Sequence, residues 1–168
     1  MFAPTLTGFL LFKPQCLKSL GIFSLSAIVV VCISRISEVI VGFYGDALDK
    51  IDTTRQGYNN PRTNMGVSER LNWLGLSYVE VLQYYATLTF LTCNLVEPTS
   101  FGEKPLSGTD ALFFSVVTIT TTGYGDMSPK GDIGRLLAGC ETLTGIILLV
   151  AVLASYISGK IEAKKIMP

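Results

Sequence analysis

Four stretches of this chain are dense in apolar residues, and their lengths differ in an informative way. Residues 20–33 are nearly uninterrupted apolar sequence, and the run resumes beyond Arg35 and Glu38 as Val39-Ile40-Val41-Gly42-Phe43. At 1.5 Å per residue this stretch is long enough, as a helix, to cross about 30 Å of hydrocarbon. Residues 71–94 predict a second helix and residues 133–161 a last one, which at roughly 43 Å has room to tilt. Between them, residues 109–120 make only about 18 Å of helix. A short apolar helix set between two long ones suits a re-entrant segment buried in protein. The predicted fold is an all-α membrane protein with an outer helix, a re-entrant helix, an extended segment and an inner helix. One N-terminal membrane-associated helix precedes them. The expected division is residues 1–67 as N-terminal segment and loop, and residues 68–168 as the principal domain.

The polar residues refine this picture. Arg35 and Glu38 are three apart, share a helix face and can pair. Charges at mid-membrane are costly, so both should face protein or an interface. Residues 20–44 thus read either as a span or as a helix in the membrane plane. Glu80, Gln83 and Tyr84 fall at i, i+3 and i+4, so one face of the second helix is polar and should look at protein, with Arg35 a candidate partner for Glu80. Residues 44–68 read as a polar loop or short surface helix. Lys50, Arg55, Arg62 and Arg70 place it on the cytoplasmic side, and Lys160, Lys164 and Lys165 put the C-terminus there too. Trp73 and Tyr78 suit the same interface. Residues 97–108 form an external turret, after which Ser107 or Thr109 caps the short helix, with Asp110 in its first turn. The opening residues lack a positively charged region ahead of their apolar run, which disfavours a signal peptide; residues 2–12 are too short to span.

Composition agrees. Of 168 residues, 49% are apolar and 15% charged, with mean hydropathy +0.47; soluble domains carry about 25% charged residues. Thirteen Lys and Arg balance thirteen Asp and Glu, which argues against a nucleic-acid partner. The chain has no histidine, and so lacks the commonest metal ligand and catalytic base. No nucleophile stands beside a base, and an enzyme is not expected. Cys16, Cys32, Cys93 and Cys140 show no CxxC spacing and read as small buried hydrophobes.

The most informative stretch joins the short helix to the last one: Thr121-Thr122-Gly123-Tyr124-Gly125-Asp126. Two glycines bracketing a tyrosine allow φ > 0 at alternate positions, where a Cβ is penalised. Alternating handedness points successive carbonyls to one side. With Thr120, this stretch reads TTTGYGD, which resembles the filter signature of the potassium channel superfamily. Asp110-Ala-Leu-Phe-Phe-Ser-Val resembles that family's pore helix, and Gly134-Arg135 followed by an apolar helix containing Gly145 resembles its inner helix. The likeness covers about residues 71–161 and is to prokaryotic-type two-helix pores. The plainer reading is a Gly-rich turn linking two membrane helices.

The resemblance implies a homotetramer in a plasma-membrane bilayer, with potassium as the transported ion and no cofactor. The carbonyls of Thr121, Thr122, Gly123 and Tyr124 would replace the ion's water, as in known potassium filters. The Thr121 hydroxyl would be an inner ligand, and Gly125 would supply the outer turn. Tyr124 would wedge against Phe113 and Phe114, and Asp126 would sit at the outer mouth. Gly145 would be a gating hinge, or else a small residue for close helix packing. Ile146, Leu149, Leu153 and Ile157 would line the cavity and inner gate. Glu141, one turn before Gly145, would support the filter by bonding pore-helix hydroxyls such as Thr118 or Thr120. Its other readings are a cation site at the cavity wall and a protonated, hydrogen-bonded carboxyl.

Three departures from the family pattern stand out. Thr122 stands where valine is common and adds a hydroxyl that needs a partner. Val117 stands where some members carry a glutamate, and Phe113 and Phe114 replace a common tryptophan pair. A filter less firmly braced from behind is the expectation. The alternatives are a weakly selective cation pore and a non-conducting subunit that keeps the fold. No segment repeats arginine at every third position, so no voltage sensor is expected. Only about seven residues follow the last helix, and no nucleotide-binding or calcium-sensing domain is expected there.

Overall fold

The computed structural model describes residues 22–56, 67–102 and 106–166, and every regular element among them is helical. Helix α1 is Ile22–Gln56 and α2 is Val67–Leu91, which runs directly into a π-helical turn, Thr92–Val96. The short helix α3 is Gly108–Ile119, and α4 is Asp132–Ile166. Expectations for residues 1–21 and for the loop at 57–66 lie outside the described residues.

Among the described residues, two helices are long and apolar enough to cross a membrane, over Leu25–Phe43 in α1 and Asp132–Ala154 in α4. Only 11% of the first window and 28% of the second is buried within the single chain. A soluble core helix would be mostly covered; these present their apolar sides outward. Their length, composition and outward apolar sides fit the expected all-α membrane protein.

Helix α1 lies antiparallel along α2. Its early residues Leu25, Ile28 and Val29 pack against a cluster of Phe90, Leu91, Cys93, Leu106 and Ala111. One and two turns later, Cys32 and Ile36 sit with Val81, Tyr84, Tyr85 and Leu88 in a cluster that also takes in Ile119 and Leu148. A helix lying in the membrane plane would meet α2 at one level; α1 follows it over several turns. In a bilayer these contacts gain nothing from leaving lipid for protein, so close packing and polar bonds decide the arrangement. Of the two readings for residues 44–56, loop or short surface helix, the structure has helix, as a continuation of α1. Past Gly45 the next breaker is Gly57, and Ala, Leu, Lys and Gln in between favour helix.

The predicted Arg35–Glu38 pair forms, with Nη1 to Oε2 at 2.9 Å. The suggested Arg35–Glu80 pair does not; Glu80 instead accepts a 2.8 Å hydrogen bond from the Tyr84 hydroxyl. The polar face of α2 does look at protein: Tyr84 is buried against α1.

Candidate functional site

The short helix α3 starts on Ser107. Its hydroxyl accepts from the Asp110 N–H at 3.1 Å, and the Asp110 carboxylate reaches back to the Ser107 N–H. This reciprocal cap satisfies two N-terminal donors and places an acid at the positive end of the helix. Ala111, Phe114, Ser115, Val117 and Ile119 are buried, so α3 is wedged between α2 and α4.

Where α3 ends, the chain turns back on itself. The N–H of Thr121 donates to the Thr118 carbonyl at 3.0 Å, and those of Thr122 and Gly123 donate to the Val117 carbonyl at 3.0 and 3.3 Å. The extended segment is therefore tied to the last turn of the helix by its amides. Its backbone then alternates: φ is +56° at Thr121, +55° at Gly123 and +80° at Gly125. Left-handed residues at every second position are the arrangement that turns successive carbonyls to a common side. Thr121 takes this conformation despite its branched Cβ, which is rare and costs energy. Residues 121–126 are all exposed in the single chain.

The side chains behind this segment are partnered. Thr120 donates to the Val116 carbonyl at 2.6 Å, and its oxygen lies 2.9 Å from the Thr122 hydroxyl. With the Thr120 proton committed, Thr122 donates, so the extra hydroxyl at this position has found its partner. Tyr124 stacks on Phe113 with rings 5° from parallel and centroids 6.3 Å apart. Phe114 does not join them. It turns to the other side of α3 and meets Phe101 edge to face at 4.9 Å. Helical spacing explains the split, since adjacent residues lie about 100° apart around the axis. Asp126 accepts from the N–H of Met127 at 3.0 Å.

The return into α4 is held by groups that no periodicity or motif connects. The Glu97 carboxylate accepts from the N–H of Ile133 and of Gly134, both at 3.2 Å. Ser100 accepts from the Gly131 N–H at 3.2 Å through its hydroxyl and from the Lys130 N–H at 2.7 Å through its carbonyl. A Cβ at Gly134 would fall 2.8 Å from Pro129 and 2.9 Å from the Ser100 hydroxyl, so the approach needs glycine. The turret base thus caps the inner helix from 36 residues away in sequence.

Further along α4, Gly145 rests on the end of α3. A Cβ there would collide with the Ile119 carbonyl oxygen and come within 2.9 Å of the Ile119 side chain. Close packing is therefore a property of this glycine. Glu141, one turn earlier, is fully buried. It lies beside Ser115, not against the hydroxyls of Thr118 or Thr120. Ile146, Leu149, Leu153 and Ile157 are all exposed on the single chain, while Leu148 is buried. No group of acidic, cysteine or histidine residues that could hold a metal is formed among the described residues.

Residues 77–158 match a family of ion channels. A two-pore potassium channel of Arabidopsis thaliana is 39% identical over 85 residues, 49% of this chain and 23% of its own length. A probable potassium channel protein of Methanocaldococcus jannaschii is 46% identical over 91 residues, 50% of this chain and 26% of its own. The pore region of this chain belongs to the potassium channel superfamily. A cyclic nucleotide-gated potassium channel of Mesorhizobium japonicum is 35% identical over 81 residues, 47% of this chain and 22% of its own. The chain spans about a quarter or less of these relatives' length. No solved structure matches it.

Proposed function

We propose that the chain assembles as a homotetramer in the plasma membrane and conducts potassium passively and selectively. The observation that carries this reading is the alternation of left-handed backbone at Thr121, Gly123 and Gly125, directly after a short buried helix. One chain supplies one strand of carbonyls; a ring around an axis needs several, arranged by closed symmetry. The exposure of residues 121–126 and of the Ile146, Leu149, Leu153 and Ile157 face in a single protomer fits surfaces that meet at such an axis.

In this reading the carbonyls of Thr121, Thr122, Gly123 and Tyr124 take the place of the ion's water, with the Thr121 hydroxyl below them and Gly125 completing the outer turn. The C-terminal end of α3 directs its partial negative charge at the entering cation. Asp126 raises local cation concentration at the mouth. Stacking of Tyr124 on Phe113 resists narrowing of the ring. The apolar face of α4 lines the cavity and closes it by dewetting. The cytoplasm holds the C-terminus and the far end of α1.

The test is growth of a potassium-uptake-deficient host on limiting potassium, followed by bi-ionic recording in planar bilayers. The wild type should rescue growth and Gly123→Ala should not. Permeability should follow potassium and rubidium far above sodium and lithium. Equal permeability to sodium would establish a weakly selective pore, and a folded tetramer without current a non-conducting subunit.

A further inference from the structure

Helices α3 and α4 meet in two rungs. Ile119 touches Gly145 at one, and Ser115 lies beside Glu141 at the other. Both pairs are spaced by four residues, so the rungs are one turn, about 6 Å, apart. The first rung closes main chain against side chain. The second is polar and closed to solvent: Glu141 and Ser115 are each 0% exposed. Yet, close as the two side chains lie, neither carboxyl oxygen of Glu141 nor the Ser115 hydroxyl makes a hydrogen bond of acceptable geometry.

The surrounding groups are already engaged. Thr144 donates to the Cys140 carbonyl at 2.8 Å, so the Tyr85 hydroxyl, 2.9 Å away, donates to Thr144. Thr120 and Thr122 bond one another and Val116. Arg35 is paired with Glu38 on another helix. Three buried polar atoms of two neighbouring side chains, none of them hydrogen-bonded, is the situation in which native proteins keep an internal water.

We propose that at least one ordered water is bound between α3 and α4, accepting from the Ser115 hydroxyl and donating to the Glu141 carboxyl. It fastens the middle of α3 to α4 one turn above the Gly145 contact. Glu141 and Ser115 are its positioning residues. The bearing of this site on ion flow rests on the pore reading; its existence does not.

The decisive measurement is a cryo-electron microscopy map of the reconstituted full chain, at a resolution that shows ordered water. Density within about 3 Å of both the Glu141 carboxyl and the Ser115 hydroxyl is expected. A direct Glu141–Ser115 bond, or an empty gap, overturns the proposal. Thermal unfolding supplies a second readout. Ser115→Ala should lower the midpoint by a few degrees in the wild type and scarcely at all beside Glu141→Leu, because one water serves both groups. Glu141→Gln, which still accepts, should keep most of the midpoint. Additive losses from Ser115→Ala and Glu141→Leu would sink the shared site. None of these readouts requires current, so their failure is separable from failure of the conduction reading.

Discussion

Gly145 of α4 lies against the carbonyl oxygen of Ile119, the last residue of α3, with no room for a methyl group between them. The inner helix and the base of the extended segment therefore meet main chain to main chain. Gly145→Ala should destabilise the protein by about 1–3 kcal/mol, as overpacking does. Thermal unfolding in detergent checks this. An unchanged midpoint with impaired opening would mean that the glycine serves only as a bend.

Glu97 holds the start of α4 through two main-chain amides. Glu97→Ala removes a charged cap and should cost about 1–2 kcal/mol. Glu97→Gln keeps an acceptor and should fall between. Hydrogen exchange at Ile133 and Gly134 should quicken in the same order, and equal exchange in all three proteins would refute the cap.

Thr120 and Thr122 form a hydroxyl pair behind the extended segment. Thr122→Val keeps the shape and removes that bond, whose net worth is about 0.5–1.5 kcal/mol. Current through Thr122→Val should decline faster during sustained opening at low external potassium. An identical time course would show that the pair braces nothing.

Potassium itself should stabilise the assembly. At an ion concentration 100 times the dissociation constant, binding contributes about 2.7 kcal/mol per site. The melting midpoint should be higher in potassium than in lithium, and the difference should vanish in Gly123→Ala. Equal midpoints for the wild type would argue against ion binding.

Arg35 and Glu38 pair near the centre of the apolar window of α1. Glu38→Leu strands a cation there and should reduce membrane-inserted protein several-fold. The double change Arg35→Leu with Glu38→Leu should restore it. Quantitative blotting of the membrane fraction decides, and failure of the double variant to recover would point to a further partner for one of the two.

Much of this arrangement was legible because the signals are local. The length of residues 109–120, the Ser107–Asp110 cap, the spacing of Arg35 and Glu38 and the glycines at 123 and 125 each act within one turn, and the described helices follow them. What escaped reading depends on distance or on direction. Glu97 meets Gly134 across the turret, which no periodicity announces. Ser115 rather than Thr118 faces Glu141 because the crossing of α3 on α4 selects one stripe of α3. Phe114 left Tyr124 for Phe101 for the same reason. Thr121 carries a conformation that its own side chain disfavours, so only the flanking structure imposes it. Residues 44–56 read as loop or short surface helix, and they extend α1 without a break because the turn-forming residues begin only at Gly57.

The π-helical turn at Thr92–Val96 contains one more residue than an α-helical turn would. Asn94 lies in it and donates to both the Phe90 and Leu106 carbonyls, at 2.8 and 3.0 Å. Excision of a single residue from this turn would rewind it and swing everything downstream by about 100°. Glu97 would then point away from α4 altogether. The wide turn is thus a phase-setting insertion: it decides which way the outer helix hands over to the turret, and so whether the two ends of the pore loop are clasped together at all.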